Sequence, residues 1–137
     1  MPGTISIEQA LIYTMVTMSG VEGHIHTTEL KEIGHIVKHL PIFRHFDEAR
    51  LTTVAQEVGE ILQEAEGLET VLGLVAEALP AKLRETAYAL AVEVAASDLA
   101  VGKEELRFLA MLRDTLHLDK LVTAALERSA MARYQTA

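Results

Sequence analysis

The stretch Val94-Ala-Ala-Ser-Asp-Leu-Ala-Val-Gly-Lys-Glu-Glu-Leu106 decides the fold, because an earlier part of the chain repeats its pattern. The earlier copy, Met18-Ser-Gly-Val-Glu-Gly-His-Ile-His-Thr-Thr-Glu-Leu30, lies 76 residues upstream. Each copy contains the end of an apolar helix, an acidic residue in a loop, a β-branched residue, a Glu and the start of a second helix. The matched pairs are Val16/Val92, Met18/Val94, Glu22/Asp98, Ile25/Val101, Glu29/Glu105, Leu30/Leu106, Ile33/Leu109, Ile36/Leu112 and Leu40/Leu116. The agreement predicts an internal duplication with repeat units at 7–40 and 83–116.

The helical periodicity of the apolar residues, together with prolines that mark helix boundaries, predicts seven helices and no strand. Ser6 and Gln9 form a capping box for the first helix, which we expect to reach about Ser19. The second helix is expected to end at Leu40, before Pro41. The remaining predictions are a third helix capped by Asp47 and closed by Gly67, then Leu68–Leu79, Ala81 to about Ala96, Lys103–Leu116 and a seventh helix after Asp119. The sequence therefore predicts a single all-α domain over residues 1–137, a compact seven-helix bundle with pseudo-two-fold symmetry.

Composition excludes several classes of function. Cysteine is absent from the 137 residues, which excludes disulfides, thiolate zinc sites, iron–sulfur clusters and cysteine nucleophiles. The net charge of −8 is opposite to what binding to phosphate backbones requires, so no nucleic-acid partner is expected. No secretory signal is visible, and no apolar run approaches the roughly 20 residues that span a bilayer. We therefore expect a cytoplasmic, soluble protein.

The candidate site consists of the four acidic residues that both repeats preserve, Glu22, Glu29, Asp98 and Glu105. In one interpretation they only cap helices: Glu105 reaches back from a first helical turn, Asp98 holds its loop, and Ile25 and Val101 insert into the core. In the other interpretation their oxygens bind a hard cation such as calcium or magnesium. The pattern is not an EF-hand, because Ala100 and Gly102 stand where ligands are needed. A site of four carboxylates requires the two loops to meet.

The same stretches resemble the Ala-x-x-Asp-Gly-x-(Ile/Val)-x-x-x-Glu signature of the TerB family, which is linked to tellurite resistance. Leu79-Pro-Ala-Lys-Leu-Arg-Glu-Thr-Ala-Tyr-Ala-Leu-Ala is similar to the family's lead-in to the second copy. The resemblance covers nearly the whole chain. It implies a duplicated seven-helix domain without established enzymatic activity, whose acidic residues have been proposed to chelate metal ions. It also implies partners among tellurite- and stress-resistance proteins, with peripheral association at the inner face of the membrane.

Two positions depart from the family pattern. Glu22 replaces the usual Asp, and Leu99 stands where Gly is common, so we expect a backbone position with positive φ to be lost. Both changes would loosen a coordination geometry.

Two further groups of residues could bind a ligand or form a buried ion pair. Glu32, His35 and His39 share one helix face and have the spacing of a zinc site, within a histidine-rich segment that also contains His24, His26 and His45. A solvated face is the favoured interpretation, because Leu30, Ile33, Val37 and Leu40 are expected to form the buried stripe.

Glu93 lies among apolar residues and needs a partner or a shifted pKa. It could join the network of the Asp98 loop, or Arg84 or Arg107 could neutralise it. Three hypotheses follow: a non-enzymatic cation- or partner-binding domain, an interaction module in which the carboxylates only cap helices, and a metal-dependent hydrolase that uses the second helix.

Overall fold

The chain forms seven α-helices and no strand within residues 4–23, 25–99 and 101–137, which the computed structural model describes. The helices are α1 (Ile7–Gly20), α2 (Thr27–His39), α3 (Leu51–Leu62), α4 (Gly67–Ala78), α5 (Ala81–Ser97), α6 (Lys103–Thr115) and α7 (Lys120–Arg133). Two short 3-10 helices, Pro41–Phe43 and Glu48–Arg50, connect α2 to α3. The predicted all-α class is confirmed. None of the helices in these ranges is both long enough and apolar enough to cross a membrane.

The predicted helix starts rest on side-chain caps that the structure contains. The Ser6 hydroxyl accepts the Gln9 backbone N–H at 3.1 Å, and the Gln9 side chain accepts the Ser6 N–H at 2.8 Å. This capping box starts α1 as predicted. Asp119 accepts the backbone N–H of Leu121 at 2.7 Å and starts α7. These bonds satisfy amides that have no partner within their own helix.

The prediction for the third helix was wrong at both ends. Asp47 caps the 3-10 turn that precedes α3, and α3 itself begins at Leu51. It ends at Leu62, well before Gly67, which instead begins α4. Gly67 is buried against the last turn of α3, where a Cβ atom would collide with the backbone of Ile61. The glycine therefore permits a tight corner between two helices rather than closing one.

The core is organised around α1 and α5, which pack against each other at the centre of the bundle. All residues of α1 from Ala10 to Ser19 are buried, so this helix is covered on every side. Each central helix also donates a tyrosine hydroxyl to a glutamate of an outer helix. Tyr13 donates to Glu57 of α3 at 3.2 Å, and Tyr88 donates to Glu127 of α7. Burial, followed by the adjacent Glu57 carboxylate, raises the pKa of Tyr13 to about 12.

Three aliphatic residues expected in the core lie at the surface. Ile25 and Val101 do not insert their side chains into the core, since they are 37% and 43% exposed. Leu30 is half exposed, so the buried stripe of α2 consists of Ile33, Ile36 and Val37 instead. A helix turns by about 100° per residue, which places Leu30 at the edge of that stripe rather than within it.

The two helix pairs correspond closely in geometry. Helices α2 and α6 are each 13 residues long, and their first residues are 76 positions apart. The loops before them have a positive φ at matched positions, Gly23 and Leu99. These similarities place the two acidic loops in comparable positions, while a common origin of the two halves stays a prediction.

Candidate acidic site between the two loops

The two acidic loops meet. The carboxylate of Glu22, in the first loop, lies against Gly102 of the second, so closely that a Cβ atom there would collide with it. His26, at the start of α2, contributes a second contact, with its Nε2 3.7 Å from Oδ2 of Asp98. The contact becomes an ion pair when the imidazole is protonated. Sequence reasoning had not placed His26 at this site.

The centre of the site is a pair of buried glutamates in the first turns of α2 and α6. Glu29 is 0% exposed and Glu105 is 2% exposed. Burial, followed by the adjacent Glu105 carboxyl and the charge of Asp98, raises the pKa of Glu29 to about 8. The His26 backbone N–H acts in the opposite direction. Two adjacent buried carboxylates cannot both ionise without a compensating charge, so the pair retains a proton near neutral pH.

The two glutamates differ in how well their oxygens are satisfied. Glu105 Oε1 accepts the Gly102 backbone N–H at 3.0 Å, which is the helix-capping contact expected for this position. Among the described residues, none makes a hydrogen bond of standard geometry to either carboxylate oxygen of Glu29, although Glu105 and the His26 N–H lie close enough to affect its pKa. An unsatisfied buried carboxylate is costly, so this arrangement needs a proton, a cation or a rearranged partner.

The structure thus places Glu29, Glu105 and Asp98 near one another, while Glu22 lies against Gly102 of the second loop. Glu22 is exposed, Asp98 is partly exposed, and Glu29 and Glu105 form the buried pair. As the side chains stand, no group of three or more His, Asp or Glu side chains in the described ranges is arranged to hold a metal ion. In the capping interpretation, Asp98 accepts backbone N–H bonds from two or three residues further along the chain. The first of these, residue 100, lies outside the described residues.

The expected loss of a positive φ at Leu99 was wrong. Leu99 has φ +62° and Gly23, its counterpart, has φ +99°. The loop therefore keeps the backbone conformation of a glycine while carrying a leucine, whose side chain is 64% exposed. The loop geometry is preserved at a cost in backbone strain.

The histidine-rich face of α2 lines a separate cleft of about 490 Å³ between α2 and α5. His35 and His39 are exposed, with ring centroids 4.2 Å apart, and His39 Nδ1 is 2.9 Å from the His35 carbonyl oxygen. Together with Glu32 they form no metal-binding group. His24 lies outside the described residues.

The partner predicted for Glu93 was wrong. Glu93 pairs with Arg133 and accepts the Tyr134 hydroxyl at 2.9 Å, so both partners come from the end of α7. Burial and then Glu93 raise the pKa of Tyr134. Arg84 instead donates to two carbonyl oxygens, Ala76 at 2.9 Å and Leu116 at 3.3 Å. No local pattern could identify Arg133, because the contact spans 40 residues.

The chain matches a model of a known protein family. A family model described as "Tellurite resistance protein TerB" matches residues 8–128, which is nearly the whole chain. Neither curated proteins nor solved structures yielded a match. The matched region contains both acidic loops and the first residues of α2 to α7, while α1 begins one residue before it. The chain therefore belongs to the TerB family of tellurite resistance proteins.

Proposed function

We propose that this protein is a non-catalytic, tellurite- and stress-resistance-associated domain that binds a divalent cation between its two acidic loops. The observation that carries the proposal is the buried Glu29–Glu105 pair, with two Glu29 oxygens that lack a hydrogen bond of standard geometry. Carboxylate oxygens are the ligands that calcium and magnesium prefer. A bound cation would supply the positive charge that two adjacent buried carboxylates require.

The ligands would be Glu29 and Glu105 from the helix starts and Asp98 and Glu22 from the loops. Asp98 already affects the pKa of Glu29 through its charge, and its contact with His26 is long enough to be exchanged. Because no three acidic groups in the described part of the chain converge as the side chains stand, binding requires Asp98 or Glu22 to turn towards the buried pair. Calcium tolerates such irregular geometry better than magnesium, so we expect calcium to bind more tightly.

Membership of the TerB family supports a role beside other tellurite- and stress-resistance proteins, at the cytoplasmic face of membrane complexes. Direct capture of tellurite is disfavoured, since a chain of net charge −8 repels an anion. Catalysis has no support in the sequence, which contains none of the nucleophile or phosphate-binding motifs of common enzymes.

Calorimetric titration with calcium, magnesium, manganese and zinc tests the proposal. We expect heat of binding with the wild-type protein and none with Glu29→Gln, which removes a buried ligand and keeps the side-chain volume. Glu104→Gln is the matched control, because Glu104 lies in the same turn of α6 as Glu105 but is exposed. Equal binding by wild type and Glu29→Gln would refute the assignment of the site.

A second function, an interaction module whose carboxylates only cap helices, is favoured by the bond from Gly102 N–H to Glu105. If it is correct, no divalent cation binds, and Glu105→Ala lowers the melting temperature without changing the helical content. A cap of this kind contributes about 1 kcal/mol.

A further inference from the structure

The excess negative charge of the protein is confined to two segments. Residues 1–30 and 51–81 contain nine Glu and no Lys, Arg or Asp. The rest of the chain contains twelve Lys and Arg against eleven Asp and Glu, so it is close to neutral. A surface built from the first two segments alone therefore attracts cationic partners more strongly than any other part of the molecule.

One groove is built entirely from these two segments. It has a volume of about 470 Å³ and lies between the C-terminal half of α1 with its following loop and the outer face of α3. The first wall consists of Val16, Gly20, Gly23 and Ile25; the second consists of Thr52, Ala55, Gln56, Gly59, Leu62 and Gln63. The α3 residues from Thr52 to Leu62 follow helical spacing, so they form one continuous face about 15 Å long, or roughly three helical turns, and Gln63 follows directly after the helix.

Both the lining and the border of the groove favour a helix as its occupant. None of the ten lining residues is charged. Ile25 projects a partly exposed aliphatic side chain there, and covering its apolar surface would be favourable. Glu60 is exposed and follows Gly59 by one residue of α3, which places it about 100° further round the helix, at the solvent border. The exposed Glu64 follows Gln63 directly after the end of α3.

We propose that this groove between α3 and the first acidic loop binds a basic amphipathic helix of a partner protein. The apolar face of that helix would cover Ile25 and the small residues of α3, in the manner of helix-in-groove recognition. Its Lys or Arg side chains would lie next to Glu60 and Glu64. An anionic membrane is a poorer occupant, because the same glutamates repel its head groups. The proposal does not depend on cation binding at the Glu29–Glu105 pair.

Gly59 provides a variant that blocks the groove without endangering the fold. A Cβ atom at Gly59 meets nothing within 4 Å, and arginine favours helix more than glycine does. Gly59→Arg therefore places bulk and positive charge in the groove of a folded protein. Gly73→Arg is the matched control, because Gly73 also lies in a helix, also has open space, and is on α4 outside the groove.

The probe is a fluorescent, amidated peptide of about 18 residues of Leu, Ala and Lys, with Leu on one helical face. Its counterpart has Glu in place of every Lys. We expect anisotropy to show binding of the basic peptide only, with amide shifts at Gly20, Gly23 and Gly59 in NMR spectra. Gly59→Arg should weaken binding at least ~10-fold, while Gly73→Arg should weaken it less than ~2-fold.

Each of the following outcomes would overturn the proposal. One is equal weakening by both arginine variants, which would show that only net charge matters. Another is equal binding of the acidic and basic peptides, or amide shifts confined to other parts of the molecule. The third is binding to vesicles of phosphatidylcholine and phosphatidylglycerol that Ile25→Ser abolishes, which would assign the face to a lipid surface.

Discussion

Leu99 has a backbone conformation that residues with a Cβ atom rarely adopt. Its φ of +62° costs roughly 1–2 kcal/mol for an L-amino acid, and its exposed side chain recovers little of this by packing. We expect Leu99→Gly to stabilise the protein by about 0.5–1 kcal/mol, after allowance for the larger entropy of glycine in the unfolded chain. Urea unfolding measures the change.

The matched control is Gly23→Ala, at the corresponding position of the first loop. A Cβ atom there meets nothing within 4 Å, so the expected loss of about 1 kcal/mol would come from the backbone alone. A destabilised Leu99→Gly protein would contradict the assignment of strain to this residue.

The Glu29 carboxyl gives the protein a defined pH dependence. Its pKa is raised from 4.5 to about 8 in the folded state, so the folded protein holds a proton that the unfolded chain releases. The resulting contribution to stability is complete below pH 4.5 and is lost as the pH rises through 8. Over this window we expect the free energy of unfolding to fall by about 2–4 kcal/mol from this group.

Glu29→Gln removes the titration and should flatten this part of the pH profile, which denaturant unfolding from pH 4 to pH 9 would reveal. The exposed Glu104→Gln serves again as control and should leave the slope unchanged. A profile for Glu29→Gln that matches wild type would show that the buried pair does not govern this slope.

At the scale of single elements, the corner between α3 and α4 depends on Gly67. A Cβ atom there would collide with the backbone of Ile61, and backbone cannot move aside as a flexible side chain can. We expect Gly67→Ala to cost about 2–3 kcal/mol, within the range of overpacked cores. Gly73→Ala, in open space on α4, should stabilise by about 0.5–1 kcal/mol. Thermal unfolding of the two variants tests whether their effects have opposite signs.

At the scale of the whole molecule, Arg84 of α5 links elements that are distant in sequence. Its guanidinium donates to the Ala76 carbonyl at the end of α4 and to the Leu116 carbonyl after α6. Charged hydrogen bonds to such unsatisfied carbonyls contribute about 1.5–3 kcal/mol together. We expect Arg84→Met to lower the free energy of unfolding by that amount and to leave the helical content unchanged by circular dichroism. An unchanged melting temperature would contradict this role.

Local features of the sequence determined the helices and their boundaries where a cap or a proline acts within a few residues. Ser6, Asp119, Pro41 and Pro80 are examples. The corner at Gly67 was not predicted, because a glycine can either end a helix or permit close contact between backbones. Only the packing of α4 on α3 distinguishes these two roles.

The same distinction between local sequence and tertiary structure applies to the acidic site. The sequence determined which four carboxylates to consider, because their spacing from the helix starts is a local property. Only the tertiary structure decided that the loops meet, that Glu29 and Glu105 become a buried pair, and that Glu93 joins Arg133. These contacts join residues tens of positions apart, and their distances depend on how α1 and α5 bring the two halves together. Burial and proximity in space set the pKa of a carboxyl group, and neither is a property of the local sequence.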